Sequence, residues 1–447
     1  MLTIKNIAAH AGYLCASGLF SLNSAWAAIP IQHWTQPSGA QVYLVPSPAI
    51  PMLDVQIDFD AGSRRDPAAL AGLAGLTAGM ASQGVRAVGP APALDENALG
   101  EAWADLGASL DSSASTDRFS FALRTLTYPD LLDKATALAA RQIGEPSFSD
   151  NLWQRERQRV AAQLKESFTR PATVAGRAFA AAVYGTHPYG YELTADTLAR
   201  IHTADMRGFY ARSILPCRAT VSLVGAVDRA QADALVTRLL ARLPATGCTP
   251  LPAVADVVPL TQASDQHIPF DAAQAQVLIG QVGYPRSDPA FFALLVGNHI
   301  LGGGGFGSRL TAEVREKRGL SYSVYSGFAP SLHAGAFTIG LQTRPDQAQQ
   351  AIQVAKDVLS RFVANGPTAA ELQAAKDNLA GGFALRIDSN RKLLDNVANI
   401  AWNQLPLDYL DHWTEHIERV TQADIQAAFT RILQPEKMAT IVVGETP

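Results

Sequence analysis

Ala219-Thr220-Val221-Ser222-Leu223-Val224-Gly225 is an apolar, β-branched run closed by glycine, and Ala439-Thr440-Ile441-Val442-Val443-Gly444 writes it again at the far end of the chain. Such runs read as buried strands. The likeness extends upstream. Asp205, Tyr210, Arg212 and Pro216 return 219 residues later as Asp424, Phe429, Arg431 and Pro435, in each case a helical pattern that stops at proline before its strand. Further toward the N-terminus the offset becomes 222 and carries Asp66, Pro67, Leu73 and Gly75 onto Asp288, Pro289, Leu295 and Gly297. Asp followed by Pro predicts a helix start in both places, because the carboxylate caps free amides and Pro suits the first helical turn. Apolar strands are expected just before, over 53–59 and 275–281. The chain carries two copies of one unit.

Between the copies, Leu243-Pro244-Ala245-Thr246-Gly247 through Pro250, Pro252 and Pro259 is rich in proline and without periodicity, which reads as a linker. The expected organisation is a leader over 1–27, a first domain over 28–244, a linker over 245–262 and a second domain over 263–447. Long helical patterns at 151–168 and 346–365 would cover sheets. The fold class is therefore α+β: two homologous domains, each an antiparallel-rich sheet covered by helices. At 447 residues and 48% hydrophobic, the chain has the apolar content for two cores. A net charge of -4 with no long basic run argues against nucleic acid or anionic membrane as a partner.

Lys5, an apolar stretch over 7–22 and then Ala25-Trp26-Ala27 follow the charged, apolar and small-residue order of a secretory leader. Cleavage after Ala27 and export to a bacterial periplasm are expected. Cys15 is a poor lipid-anchor site, since Leu14 occupies the place of the small residue such sites need. No later stretch is long and apolar enough to span a bilayer. The two remaining cysteines, Cys217 and Cys248, form an even pair for an oxidising compartment. A disulfide between them, stabilising by roughly 3–4 kcal/mol through loop closure, and two unpaired buried thiols are both open readings.

Gly302-Gly303-Gly304-Gly305-Phe306-Gly307-Ser308-Arg309-Leu310, followed by Glu313-Val314-Arg315-Glu316-Lys317-Arg318-Gly319-Leu320-Ser321-Tyr322-Ser323-Val324, resembles the C-terminal domain of pitrilysin-like zinc peptidases and mitochondrial processing peptidases. His187-Pro188-Tyr189-Gly190 and both domain-ending strands are similar to that family too. The resemblance covers nearly the whole mature chain.

Active members carry an inverted zinc motif, His-x-x-Glu-His, on the first helix of the N-terminal domain. Here that place reads Gly72-Leu73-Ala74-Gly75-Leu76-Thr77-Ala78-Gly79-Met80. By the resemblance, Gly75 and Gly79 stand where the histidines would be and Ala78 where the glutamate would be. Zinc needs imidazole or carboxylate donors at about 2 Å, and a catalytic site needs three of them plus a water. Glycine and alanine supply none. The third family ligand, a glutamate on a later helix, matches Gln163 by motif register, whereas raw spacing would select Glu156. A literal His-x-x-Glu-His does occur at His412-Trp413-Thr414-Glu415-His416, but too near the C-terminus for a downstream glutamate ligand. A solvated helix face is the expected reading there.

Of the other histidines, His187 is expected to fix a turn before Pro188 and His299 to pack near the glycine-rich loop. That loop lacks the Lys-Ser/Thr ending of a phosphate loop, so close backbone approach to a neighbouring helix or a peptide explains its glycines better. Helical spacing over 308–318 turns Leu310, Val314 and Thr311 inward, and Gly319 is a left-handed cap. Arg315 near the helix end and Tyr322 at the start of a strand over 321–328 can then converge. In the family the equivalent Arg and Tyr reach the peptide near the scissile bond. A guanidinium offers a fork of charged donors to a carbonyl, and a phenol adds one hydrogen bond. Absent that role, Arg315 would pair with Glu313 or Glu316, and Tyr322 would be a half-buried strand aromatic.

The resemblance thus implies a non-catalytic subunit of a heterodimeric zinc peptidase. This chain would hold no cofactor, the zinc would lie in a homologous partner with an intact motif, and extended or unfolded peptides would bind between them, adding to a sheet edge. Two rival readings are a partnerless peptide-binding or structural scaffold of the same fold, and a lone enzyme using His412 and His416.

Overall fold

A computed structural model describes residues 29–245 and 247–444; the expected leader over 1–27, with Cys15, lies outside the described residues. Eleven strands occupy Gln32–Thr35 (β1), Gln41–Pro46 (β2), Met52–Phe59 (β3), Ser109–Ala114 (β4), Phe119–Leu126 (β5), Thr220–Gly225 (β6), Ser264–Ile268 (β7), Ala275–Val282 (β8), Val324–Phe328 (β9), Ala336–Thr343 (β10) and Ala439–Val443 (β11) among the described residues. They form two sheets, ordered β1-β2-β6-β3-β5-β4 and β7-β11-β8-β10-β9. Leaving out edge strand β1, the two orders are the same pattern written twice. In each, the domain-ending strand sits second, parallel to one neighbour (β2 with β6, β7 with β11) and antiparallel to the other. The repeat read from the sequence is thus a repeat of topology, and the α+β class holds.

The helix starts are displaced from their expected places. Pro67 does not open a long helix: short turns at Ser63–Arg65 and Ala68–Leu70 precede the first α-helix, Leu73–Ala81. The Asp66 carboxylate instead reaches forward and accepts from the Gly72 and Ala74 amides, each at 2.9 Å, so it caps a helix that begins later. In the second copy the helix is Phe291–Asn298, and Asp288 accepts from the Ala290 amide at 2.8 Å.

Each sheet is covered on one face by its own helices and on the other by a helix lent from the opposite half. Helix Pro171–Tyr184, from the first copy, lies on β8 and β11 of the second sheet. Its Ala175, Phe179 and Val183, spaced four apart, pack with Leu278, Ile441 and Val443. Helix Asn390–Trp402, from the second copy, lies on β2, β3 and β6 of the first sheet, joining Leu394 and Val397 to Tyr43, Val45 and Val224. Gly280 on β8 makes room for the exchange: a Cβ there would stand 2.8 Å from Phe179 Cζ and 2.0 Å from the Phe337 carbonyl oxygen. Burying Phe179 and Val183 contributes about 1.5–3 kcal/mol each. The two halves therefore share their cores.

Polar bonds fasten the same seam. The Asp117 carboxylate accepts from Arg64 Nε at 2.8 Å, from the Tyr189 hydroxyl at 2.8 Å and from the Leu332 amide at 3.1 Å. Tyr189 in turn accepts from the His333 amide at 3.0 Å. The segment between the copies is tied along its length, with Ala255 O at 2.9 Å from His187 Nε2 and Asp256 at 2.8 Å from His333 Nδ1.

Candidate functional site

Gly72, at φ 100°, turns the chain into helix Leu73–Ala81, a conformation that glycine adopts without strain. Leu73, Ala74, Ala78 and Met80 enter the first core, which leaves Gly75 and Gly79 exposed one turn apart on one face. A Cβ at either would meet nothing within 4 Å. Ala78 is buried, and its carbonyl accepts from Ser112 Oγ of β4 at 2.7 Å. Where the resemblance implies a metal, this face presents bare backbone beside an edge strand, and its residues do not fit zinc. Of the two candidates for the third position, Gln163 is exposed on helix Asp150–Ser167, while Glu156 is buried and bonded to Arg159 at 2.5 Å.

The downstream His-x-x-Glu-His does not form a ligand face. His412 precedes helix Trp413–Arg419 and lies 3.0 Å from Glu415 and 3.4 Å from Asp408. His416 stacks on Phe292, ring centroids 4.7 Å apart. Among the described residues no three His, Cys, Asp or Glu side chains gather in a way that could hold a metal ion. His187 Nδ1 accepts from the Tyr189 amide at 3.1 Å, which fixes the turn before the short helix Pro188–Gly190. His299 packs on the glycine run, a Cβ at Gly304 falling 2.9 Å from its Nε2, and burial holds its imidazole below the usual range.

Arg315 lies on a widened turn over Thr311–Glu316. The Lys317 amide donates to Ala312 O at 3.0 Å, Gly319 to Arg315 O at 2.9 Å and Leu320 to Val314 O at 3.0 Å, so the last coil opens before Gly319 reverses it at φ 61°. Leu310, Val314 and Leu320 anchor that coil in the second core. Tyr322 is not on a strand; β9 begins at Val324, and Tyr322 is 78% exposed in the loop before it. The guanidinium of Arg315 nonetheless lies 4.6 Å from the Tyr322 ring centroid and 4.7 Å from that of Phe306. Glu313 is occupied by Lys317 and Arg318, each at 2.6 Å, and no carboxylate pairs with Arg315 among the described residues. The simple surface ion pair is not what forms.

Phe306, 70% exposed at the tip of the glycine run, is the member that sequence reasoning passed over. Its one signal was an isolated aromatic within five glycines. Those glycines make close approaches: a Cβ at Gly302 would stand 2.5 Å from the Ser326 amide, and one at Gly303 would stand 2.8 Å from Asn298 Nδ2. Ser308 Oγ bonds Gly305 O at 2.7 Å and closes the turn that lifts Phe306 outward. The result is an unpaired cation between two exposed rings. Such stacking is worth about 0.5–1 kcal/mol per pair at exposed sites and holds the guanidinium edge free to donate.

Cys217 and Cys248 are joined by a disulfide that closes a separation of 31 residues, with Cα atoms 6.3 Å apart. No helix of the described residues is long and apolar enough to cross a membrane.

Comparison with known proteins places these features. Residues 42–197 match the profile of insulinase (peptidase family M16), and residues 200–379 match that of the peptidase M16 inactive domain. An uncharacterized zinc protease of Mycobacterium leprae is 26% identical over 416 residues, spanning 91% of this chain and 90% of that protein. A Helicobacter pylori protein described as a non-peptidase homolog is 25% identical over 394 residues, 84% and 85% of the two chains. The crystal structure of a peptidase M16 inactive domain from Pseudomonas fluorescens superposes with a TM-score of 0.87 at 33% identity, covering 93% of this chain and 98% of that one.

Proposed function

This chain belongs to peptidase family M16, and from that premise we propose that it is the substrate-gripping, non-catalytic subunit of a two-chain zinc peptidase acting on unfolded peptides. The observation that carries the reading is an asymmetry. Gly75, Ala78 and Gly79 hold no metal donor, whereas Arg315 stands without a carboxylate partner between the exposed rings of Phe306 and Tyr322.

In this reading a homologous partner contributes the zinc and the water it activates. This chain contributes a charged fork and a phenol that hold a peptide carbonyl, each such hydrogen bond being worth about 1.5–3 kcal/mol. The leader over 1–27 sends the subunit to the periplasm, where the pair meets exported or misfolded chains. Co-expression with an M16 chain of the same organism that carries the intact zinc motif, purification of the pair and hydrolysis of a quenched fluorescent peptide form the test. Arg315→Ala is expected to lower hydrolysis at least tenfold without preventing assembly. Unchanged hydrolysis by an assembled Arg315→Ala pair would sink the proposal, as would chelator-sensitive hydrolysis by the isolated chain.

The non-peptidase homolog among its relatives favours a second reading, a peptide-binding or structural scaffold without a peptidase partner. Pull-down from periplasm separates the two, since a scaffold would bring no zinc-motif chain with it.

A further inference from the structure

The internal repeat supplies a control for one charged position. Arg431, on the second copy, ends helix Gln422–Ile432 and pairs with Asp288 at 2.7 Å. Its equivalent in the first copy, Arg212, occupies the last turn of helix Thr203–Ser213, and the equivalent of Asp288 is Asp66. Asp66 is turned inward to cap helix Leu73–Ala81, so Arg212 has no carboxylate partner among the described residues. Same fold position, opposite outcome: one arginine is neutralised and the other is left free.

Arg212 borders a cavity of about 630 Å³ closed on one side by residues 247–254. Arg64, Arg65 and Arg218 also line it, and among the described residues no acidic side chain does. Arg64 and Arg65 are spent, the first on Asp60 and Asp117 and the second on Asp60 and the Pro252 carbonyl. Arg218 gives one hydrogen bond to Arg212 O and another at 2.6 Å to Thr249 O, which leaves three of its five donors. Gly208 lets the Arg212 side chain fold back along its helix, since a Cβ there would lie 3.1 Å from Arg212 Nη1. Arg212 and Arg218, both with unused donors, thus line one concave site, to which Phe209, Leu215 and Leu251 add apolar wall and Ser213 and Thr249 polar wall. Apolar walls focus the field of the charges and favour a compact anion over bulk solvent.

We propose that this cavity binds a compact oxyanion through Arg212 and Arg218, the α-carboxylate of a peptide or inorganic phosphate being the two groups of matching chemistry. A planar fork takes either in a bidentate way. The site lies between the first half and the segment that follows it and involves neither Arg315 nor Tyr322, so it stands whether or not the subunit reading does. The disulfide from Cys217 to Cys248 holds the segment after Cys248 against Arg218 and preforms the wall.

The test is calorimetric titration of the isolated, oxidised chain with three probes: an alanine-rich hexapeptide with a free carboxyl terminus, the same peptide as its C-terminal amide, and inorganic phosphate. Binding of the free acid at least tenfold tighter than the amide, lost in Arg212→Ala, identifies a peptide terminus as the ligand. Binding of phosphate alone, lost in Arg212→Glu, identifies phosphate. Arg218→Lys, which keeps the charge and removes the fork, should weaken whichever probe binds. No preference for the free acid together with no phosphate binding overturns the proposal. So does binding that survives in Arg212→Glu, provided the variant melts as the wild type does.

Discussion

The guanidinium of Arg315 lies over the ring of Tyr322, 4.6 Å from its centroid, although one belongs to a helical turn and the other to the loop beyond it. The ring and the hydroxyl of Tyr322 should therefore have separable effects in an assembled peptidase pair. Tyr322→Phe keeps the stack and removes the donor, so kcat should fall about tenfold with KM little changed. Tyr322→Ala should raise KM as well, and Phe306→Ala should raise KM about two- to fivefold, the value of one exposed cation–ring contact. Identical kinetics for the Phe and Ala variants would show that the stack contributes nothing.

Burial pushes the Asp66 carboxyl up to about 7, against the pull of the Ala74 and Gly72 amides. An acid whose folded pKa is raised contributes stability that is fully present below its unfolded value near 3.8 and is lost as pH rises through about 7. Between pH 5 and 8 the loss should amount to roughly 2–3 kcal/mol. Urea midpoints across that range should show it in the wild type and a much flatter profile in Asp66→Asn. Parallel profiles would mean that Asp66 stays ionised throughout.

Phe179 joins two halves rather than one. Phe179→Ala should cost about 3–5 kcal/mol, and the loss should register in the unfolding of the second half although the residue belongs to the first. Hydrogen exchange of β8 and β11 amides is the appropriate readout. Faster exchange confined to the first sheet would contradict the exchanged-helix packing.

Gly75 and Gly79 have open space where a side chain would begin. Gly75→Ala and Gly79→Ala should each stabilise the isolated chain by about 0.5–1 kcal/mol, by helix propensity. Destabilisation measured by thermal melting would reveal an obstruction on that face.

The disulfide should leave no titratable thiol on Cys217 or Cys248 in the unfolded, unreduced mature chain. Reduction, or the Cys217→Ser/Cys248→Ser pair, should lower stability by roughly 3–4 kcal/mol on loop-closure grounds. Two free thiols would mean that the bond does not form in the exported protein.

Local chemistry explains why much of this was legible. Strands β6 and β11 declared themselves by β-branched runs ending in glycine, and β3 and β8 start within a residue of their expected places. Arg315 and Tyr322 converge as their spacing implied, because a left-handed glycine at 319 turns one element back on the next. The Asp66-Pro67 helix start failed because a nearby capping rule assumes the carboxylate serves the next amides, as that of Asp288 does for Ala290. Asp66 serves amides six and eight residues on, across an irregular segment whose path no local rule describes. Phe306 was missed because exposure of a single aromatic depends on the lift given by its turn.

By itself, the sequence determined the duplication and the domain-ending strands, which are properties of residue type and spacing, and by its resemblance to a known family it marked where metal donors are missing. Only the tertiary structure decided which sheet a helix covers and which arginine keeps its charge unpaired. Ala175, Phe179 and Val183 state that one face of their helix must be buried, but any apolar surface would satisfy them. Arg212 and Arg431 occupy equivalent places in the repeat, and they differ because Asp288 accepts from both the Ala290 amide and Arg431, whereas Asp66 spends its carboxylate on the Gly72 and Ala74 amides. Partners remote in the chain are chosen by packing, which no single stretch encodes.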